Sequence, residues 1–221
     1  MQGPSRCVVL AVLLYGCDTG GVDVPIDSPP VTGDSGLIVR WSTDPAPIPG
    51  DVGDGLSLTV ARFKLDSLRI VGDAGPGDPR TTANAMDLRW ENGAQAPADI
   101  AFDSAPPGLY SQVSLAFDGR DGSNSYRIDG RVTVGSNTYD YEIRDRDPLV
   151  FNVLIDKMLA PGESAVVNLR INFRHALDSL DWPNLDIQDG DIELDENDSE
   201  MIGFRQKLVE SFEIVSVNSV N

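Results

Sequence analysis

A chain of 221 residues in which 41% of side chains are hydrophobic holds enough apolar material for one sandwich-sized core, the size at which a single domain buries most of its unfolded surface. Seventeen Lys and Arg against 35 Asp and Glu leave a formal net charge of -18. That excess argues strongly against association driven by nucleic-acid phosphates or an anionic lipid surface, and it favours neutral or cationic partners.

The first predicted element is an export signal. Arg6 precedes an unbroken apolar run, Cys7–Tyr15, and Gly16 supplies the small residue that a signal peptidase needs at its cut. The run is too short for a stable helix across a ~30 Å hydrocarbon core, which takes about 20 residues. Within this signal, Leu14-Tyr15-Gly16-Cys17 resembles the lipobox of bacterial lipoproteins: an aliphatic residue, a tolerant position, Gly or Ala, then the cysteine that receives a diacylglycerol. The resemblance implies a signal peptide over 1–16 and lipid attachment at Cys17. The protein is then expected to be exported and held as a membrane-anchored lipoprotein of the bacterial cell envelope, at either the inner or the outer membrane. A cut before Cys17 also removes Cys7, so the remaining chain has one thiol and no intramolecular disulfide. Acyl chains, at ~0.8 kcal/mol per buried methylene, then hold the chain to a membrane without a spanning helix. Residues 17–36 lack periodicity and carry Pro25, Pro29 and Pro30, so they read as a flexible tether to a domain over 37–221.

From Leu37 the pattern has period two. Leu37, Val39 and Trp41 make the first strand, ended by Asp44-Pro45-Ala46-Pro47. Leu56, Leu58 and Val60 begin a long strand whose phase then slips to Phe63 and Leu65, which predicts a bulge or bend near Ala61 and Arg62. Alternation returns at Met86–Trp90, at Ile100 and Phe102, and most clearly at Leu109, Ser111, Val113, Leu115 and Phe117. Tyr126–Val134 and Tyr139–Ile143, separated by Gly135-Ser136-Asn137, predict a hairpin. Leu149–Ile155 and Val167–Phe173 follow. Many short strands with few helices between them predict an all-β fold, an antiparallel two-sheet β-sandwich of immunoglobulin or transthyretin type.

The last fifty residues differ. Phe173, Ala176, Leu177 and Leu180 stand at helical spacing, so a short helical turn is expected near 174–180, stopped by Trp182-Pro183. An acidic segment over 181–200 follows, and Asn197-Asp198-Ser199-Glu200 fits a capping box for an amphipathic helix over about 198–212 with Met201, Phe204, Leu208 and Phe212 on one face. Glu213–Val217 reads as a final strand.

Gly36-Leu37-Ile38-Val39, Ser42-Thr43-Asp44-Pro45-Ala46-Pro47, Asp87-Leu88 and Pro107-Gly108-Leu109-Tyr110 together resemble a bacterial envelope family with a Thr-Asp-Ala-Pro-type β-sandwich domain of unknown function. The style is similar to predicted lipoproteins of myxobacteria. The resemblance implies a sandwich on the cell envelope and brings no catalytic residues.

Chemistry-bearing residues are few. His175 is the single histidine, and Gly162-Glu163-Ser164-Ala165-Val166 departs from a nucleophile elbow at its last position. His175 is expected to be solvated or structurally hydrogen-bonded. The acidic segment, tested as an EF-hand loop from Asp195, has Glu200 where the sixth position needs Gly and Gln206 where the twelfth needs Glu. Ile187, Ile192 and Leu194 interleave with its acids like a charged sheet edge, and calcium binding there is left open. Trp41 and Trp90 fall in phase with core aliphatics, while Tyr126, Tyr139 and Tyr141 share faces with Ile or Val. The expectation is a lipid-anchored, non-catalytic structural or binding module with no catalytic residues, metal or cofactor, its membrane contact made through Cys17, and with an envelope protein or glycan as the open partner. The alternative is a hydrolase acting through paired carboxylates.

Overall fold

The period-two runs become strands in a computed structural model that describes residues 35–91 and 99–220. In chain order these are β1 (Ser35–Asp44), β2 (Gly50–Gly53), β3 (Leu56–Gly72), β4 (Thr82–Glu91), β5 (Asp99–Ala105) and β6 (Gly108–Phe117). There follow β7 (Tyr126–Val134), β8 (Asn137–Asp145), β9 (Leu149–Leu159), β10 (Ser164–Asn172), helix α1 (Phe173–Leu177), β11 (Asp191–Leu194), helix α2 (Glu200–Glu210) and β12 (Phe212–Val220). They form the expected all-β sandwich of two sheets. One sheet has the order β12-β10-β1-β5; the other runs β11-β8-β7-β3-β6-β9, with β2 and β4 also paired to β3.

Not every pairing is antiparallel. β1 pairs β10 in parallel, Leu37 opposite Ala165 through Asp44 opposite Asn172, and β11 runs parallel to β8. Parallel neighbours need a long crossover, and here most of the second sheet is the connection between β1 and β10. Alternation reports which residues face inward; it carries no information about strand direction.

The spine of the larger sheet is β3. Val60 pairs with Glu91 of β4 and Asp129 of β7, whereas Leu65 pairs with Met86 of β4 and Phe117 of β6. Because a strand has two edges and β4 holds one of them, β7 and β6 must share the other, end to end, meeting at Lys64. There the Lys64 amide donates to Ser125 O (2.9 Å) and the Asp118 amide donates to Lys64 O (3.0 Å). Register shifts lie between Leu58 and Val60 against β7 and between Leu65 and Ser67 against β6. The slip expected near Ala61 and Arg62 therefore sits at Thr59, and a second one follows at Asp66. Inward positions change from Leu56 and Leu58 to Ala61, Phe63 and Leu65, then to Leu68 and Ile70. In β6 a shift between Tyr110 and Gln112 corrects another reading: Leu109 is exposed and Tyr110 is core, its hydroxyl donating to Pro106 O (2.6 Å).

Buried apolar side chains form one continuous cluster. Phe63 lies at its centre, with ring centroids of Phe117 at 5.2 Å, Phe212 at 5.8 Å, Tyr126 at 6.0 Å, Phe173 at 6.2 Å and Trp90 at 6.3 Å. Through Phe212 and Phe173 it joins the larger sheet to β12 and α1. Offset and edge-on ring pairs of this kind each contribute about 0.5–1.5 kcal/mol beyond their area burial. Trp41 and Trp90 are core residues, as their phase indicates.

The α2 helix covers the core with Met201, Phe204 and Leu208, all fully buried. Its expected capping box does not form. Ser199 is the N-cap but accepts no backbone amide of the helix, its Oγ donating to Glu200 Oε2 (3.1 Å), and Asp198 Oδ2 instead accepts from the Asp195 amide (2.7 Å). The acids turn back on their own loop. The helix is held from its middle, where Arg205 reaches the fully buried carboxylate of Asp145 in β8.

Candidate functional site

The outward residues of the larger sheet make a charged face whose order follows from register. Arg62 of β3 stands opposite Arg89 of β4 on one side and Arg127 of β7 on the other, and Arg127 stands opposite Arg144 of β8. Four arginines thus form a row across four adjacent strands. Each lies between inward, buried residues, as in Ala61-Arg62-Phe63, Leu88-Arg89-Trp90, Tyr126-Arg127-Ile128 and Ile143-Arg144-Asp145, so the pleat points all of them outward. Two residues along, the row is acidic: Glu91, Asp129, Glu142 and, on β11, Glu193.

Like charges directly opposite on a sheet are destabilising, and the acidic row relieves the arginines on that flank. Arg127 pairs with Asp129 (2.9 Å) and Glu142 (2.8 Å), Arg144 with Glu142 (3.2 Å) and Glu193 (2.9 Å), and Arg62 with Glu91. The hydrogen bonds to Asp129, with its charge, hold the Arg127 guanidinium above its ordinary pKa. Farther along, Arg131 pairs with Asp140 (2.8 Å).

The opposite flank is different. There Arg62, Lys64, Arg89 and Arg127 line a concavity of about 240 Å³ with Ser123, Asn124 and Tyr126, and Asp87 is the one carboxylate in its wall. Asp87 is engaged by Arg89 (2.8 Å). The Lys64 ammonium donates to Ser123 Oγ (2.7 Å), whose hydroxyl donates to Arg120 O (2.8 Å). A second concavity, about 200 Å³, adjoins it through Arg127 and is lined by Asp129, Asp140, Glu142, Asp191 and Glu193. The face is therefore dipolar, with a cationic hollow beside an acidic one.

Sequence reasoning did not single out these arginines. Their outward phase was readable in each strand; their alignment into a row depends on register between strands distant in sequence.

Of the singled-out residues, Tyr126 lies in the wall of the first concavity, and Tyr141 with Asp191 and Glu193 of the acidic segment lies in that of the second; the others fall elsewhere. Cys17, the signal over 1–16 and nearly all of the tether over 17–36 lie outside the described residues. His175 is exposed in the middle of α1, its Nε2 3.3 Å from Glu210 Oε2. Glu210 itself is drawn down to about pKa 2 by hydrogen bonds from Lys207 first, then Gln206 and His175. The Tyr141 hydroxyl is in the sheet, donating to Ser57 O (3.1 Å), and that of Tyr139 accepts from Asn137 Nδ2 (3.1 Å).

In the acidic segment, Asp195 accepts from the Asn197 amide (2.9 Å) and side chain (3.0 Å), the backbone bond lowering its pKa most. Glu196 pairs with Arg146 (3.5 Å) and Glu193 with Arg144. Among the described residues no group of three His, Cys, Asp or Glu side chains is placed to hold a metal ion, and no helix is long and apolar enough to cross a membrane.

No family model matches the chain, and no curated protein matches it. Two solved structures are similar. One, a "putative cell adhesion protein" from Bacteroides eggerthii, is 12% identical with a TM-score of 0.28 over 85% of this chain and 55% of that one. The other, also a "putative cell adhesion protein", from Bacteroides ovatus, is 14% identical with a TM-score of 0.21 over 64% of this chain and 40% of that one. The chain spans about half the length of the structures it matches, and likeness at this level carries no argument about its fold or its role.

Proposed function

We propose that this chain is an exported lipoprotein of the bacterial cell envelope, anchored through Cys17, whose β-sandwich is a structural or binding module and not an enzyme. The observation that carries the reading is Leu14-Tyr15-Gly16-Cys17 at the end of a short apolar run with Arg6 before it. The lone cysteine left after a cut at Gly16 agrees with it, since a modified thiol needs no disulfide partner. So does the resemblance of residues 36–180 to an envelope family with a Thr-Asp-Ala-Pro-type sandwich. A non-catalytic role is supported by how the carboxylates of the charged face are used: Asp129, Glu142 and Glu193 are each bound by arginine. The net charge of -18 argues against nucleic acid as a partner, and the charged face is the surface this reading offers to one.

Replacing Cys17 by Ser and fractionating cells tests the anchor. The protein is expected to move from the membrane fraction to the soluble envelope fraction, and incorporation of labelled palmitate is expected to disappear. An unchanged membrane pool in the variant overturns the reading.

A further inference from the structure

We infer that the cationic hollow at Arg62, Lys64 and Arg89 is a binding site for a phosphate group, free or carried on a small ester. The inference rests on the reading of the sandwich as a binding module and names the ligand class; it does not depend on the anchor.

Three observations carry it. The first is the arginine row. Arg89, Arg62, Arg127 and Arg144 stand in direct register, the least favourable arrangement for like charges on a sheet. A face built only to be solvated or to pair its own charges would alternate signs across the strands, as the register of Lys64 with Asp87 and of Arg131 with Asp140 does.

The second is the asymmetry of compensation. Glu91, Asp129, Glu142 and Glu193 neutralise the row from one flank only. On the other flank four cations line one hollow with a single carboxylate, Asp87. Lys64 has a hydroxyl, Ser123 Oγ, as its side-chain partner, and among the described residues no carboxylate lies within ion-pair distance of it. This concentration of positive charge occurs in a chain with a net charge of -18, so the general preference for neutral or cationic partners is reversed locally.

The third is size and denticity. A carboxylate is satisfied by one bidentate arginine, whereas a phosphate group brings close to two charges and three acceptor oxygens. Three arginines and a lysine lining one hollow suit the latter: Arg62 and Arg127 hold carboxylates of the acidic row and Arg89 holds Asp87, while the Lys64 ammonium is the cation there without a carboxylate partner among the described residues. At about 240 Å³ the hollow is smaller than the roughly 300–1,000 Å³ of sites for drug-sized ligands, so it takes the phosphate and a small substituent. The adjoining hollow is acidic and repels any extension of negative charge past Arg127, which argues for a monoester over a polyanion. Ser123 and Asn124 line the same hollow and add polar, uncharged groups for a substituent.

The test is titration calorimetry on the full-length chain carrying Cys17→Ser, at low ionic strength, with inorganic phosphate and glycerol 3-phosphate as probes. One-to-one binding is expected, weakened about tenfold or more in Lys64→Ala and in Arg89→Ala, and unchanged in Arg131→Ala, whose guanidinium lies beyond the acidic row. Both pocket side chains are exposed, and an unchanged melting temperature confirms that the variants fold. A vesicle arm distinguishes the source of the phosphate: binding to phosphatidic acid vesicles that Lys64→Ala abolishes assigns the group to a lipid headgroup at the same site. No saturable binding of phosphate, ester or vesicles at millimolar concentration overturns the inference. So does binding that neither pocket variant weakens. Because the anchor is read by fractionation of the Cys17→Ser strain and the hollow by titration of Lys64→Ala, failure of one leaves the other standing.

Discussion

Asp145 is fully buried, and its carboxylate is bonded from β7, from α2 and from the turn after β8. Tyr126 Oη donates to its Oδ2 (2.7 Å), Arg205 of α2 donates through Nε (2.5 Å) and Nη2 (3.0 Å), and the Asp147 amide donates to Oδ1 (2.9 Å). Burial first, and then the Asp145 charge, pushes the Tyr126 hydroxyl well above its ordinary pKa, so it remains a donor. Truncating one partner of a buried charge pair leaves the other uncompensated, at about 3–5 kcal/mol. Asp145→Ala is expected to lose stability of that order in urea unfolding, and a loss below about 1 kcal/mol would show that Arg205 is satisfied by its second partner, Asp147 (2.9 Å), and water. Glu163, in the turn after β9, offers a pH-dependent counterpart. Its carboxylate accepts from Lys157 Nζ (2.6 Å), Ser219 Oγ (2.5 Å) and the Ala160 amide (2.7 Å), stitching β9 to β12, and the Lys157 bond leads in lowering its pKa from 4.5 to about 2. A depressed carboxylate stabilises the fold above the unfolded pKa, and that contribution fades as pH falls through the folded one. Glu163→Gln should therefore be less stable than the parent near neutrality, and the gap should close between pH 4.5 and about 2. A gap that stays constant across that window contradicts the assignment.

At the scale of elements, β7 shows how one small residue sets a pairing. Gly130 lies where a Cβ would meet Ser57 O at 1.9 Å and the Tyr141 hydroxyl oxygen at 2.4 Å. Its bare backbone lets the Tyr141 ring cross from β8 and bond Ser57 of β3. Gly130→Ala must push Tyr141 or the β3 backbone aside, and overpacking of this kind costs about 1–3 kcal/mol. Thermal unfolding is expected to show that loss. Pairing the change with Tyr141→Phe should recover only part of it, because the clash with Ser57 O is with backbone; full recovery would place the strain in the hydroxyl alone. The neighbouring hairpin needed no such tertiary knowledge. Gly135 at φ 63° occupies the first position of a two-residue loop joining Val134 to Asn137, the Gly-X arrangement that matches strand twist. The α2 helix lies between these cases: its apolar spacing was legible in Met201, Phe204 and Leu208, whereas its expected capping box yielded to Asp198 bonding the Asp195 amide. Loop and helix compete for the same short polar side chains, and sequence spacing does not decide between them.

Over the whole molecule, local pattern and long-range pairing part company. Inward phase was readable in Leu37, Trp41, Leu88, Trp90, Tyr126 and Ile143, since burial of one face imposes period two on each strand separately. Phase failed only where a bulge intervened, at Thr59 and Asp66 of β3 and at Ser111 of β6, because a bulge is a property of two strands held together. The candidate site belongs to the second kind. Arg62, Arg89, Arg127 and Arg144 were each recognisable as outward residues, but nothing local says that they share a row, or that Lys64 falls where β7 gives way to β6.

What the sequence by itself determined was the all-β class, the inward face of most strands away from bulges, the β7–β8 turn and the expectation of an anchor at Cys17, all features encoded within a few residues of one another. Only the tertiary structure decided the parallel partnership of β1 with β10, the division of one edge of β3 between two strands, and the meeting of four cations in one hollow. Those depend on register between segments far apart in the chain, which is chosen by the packing of the shared core around Phe63 and not by any segment alone.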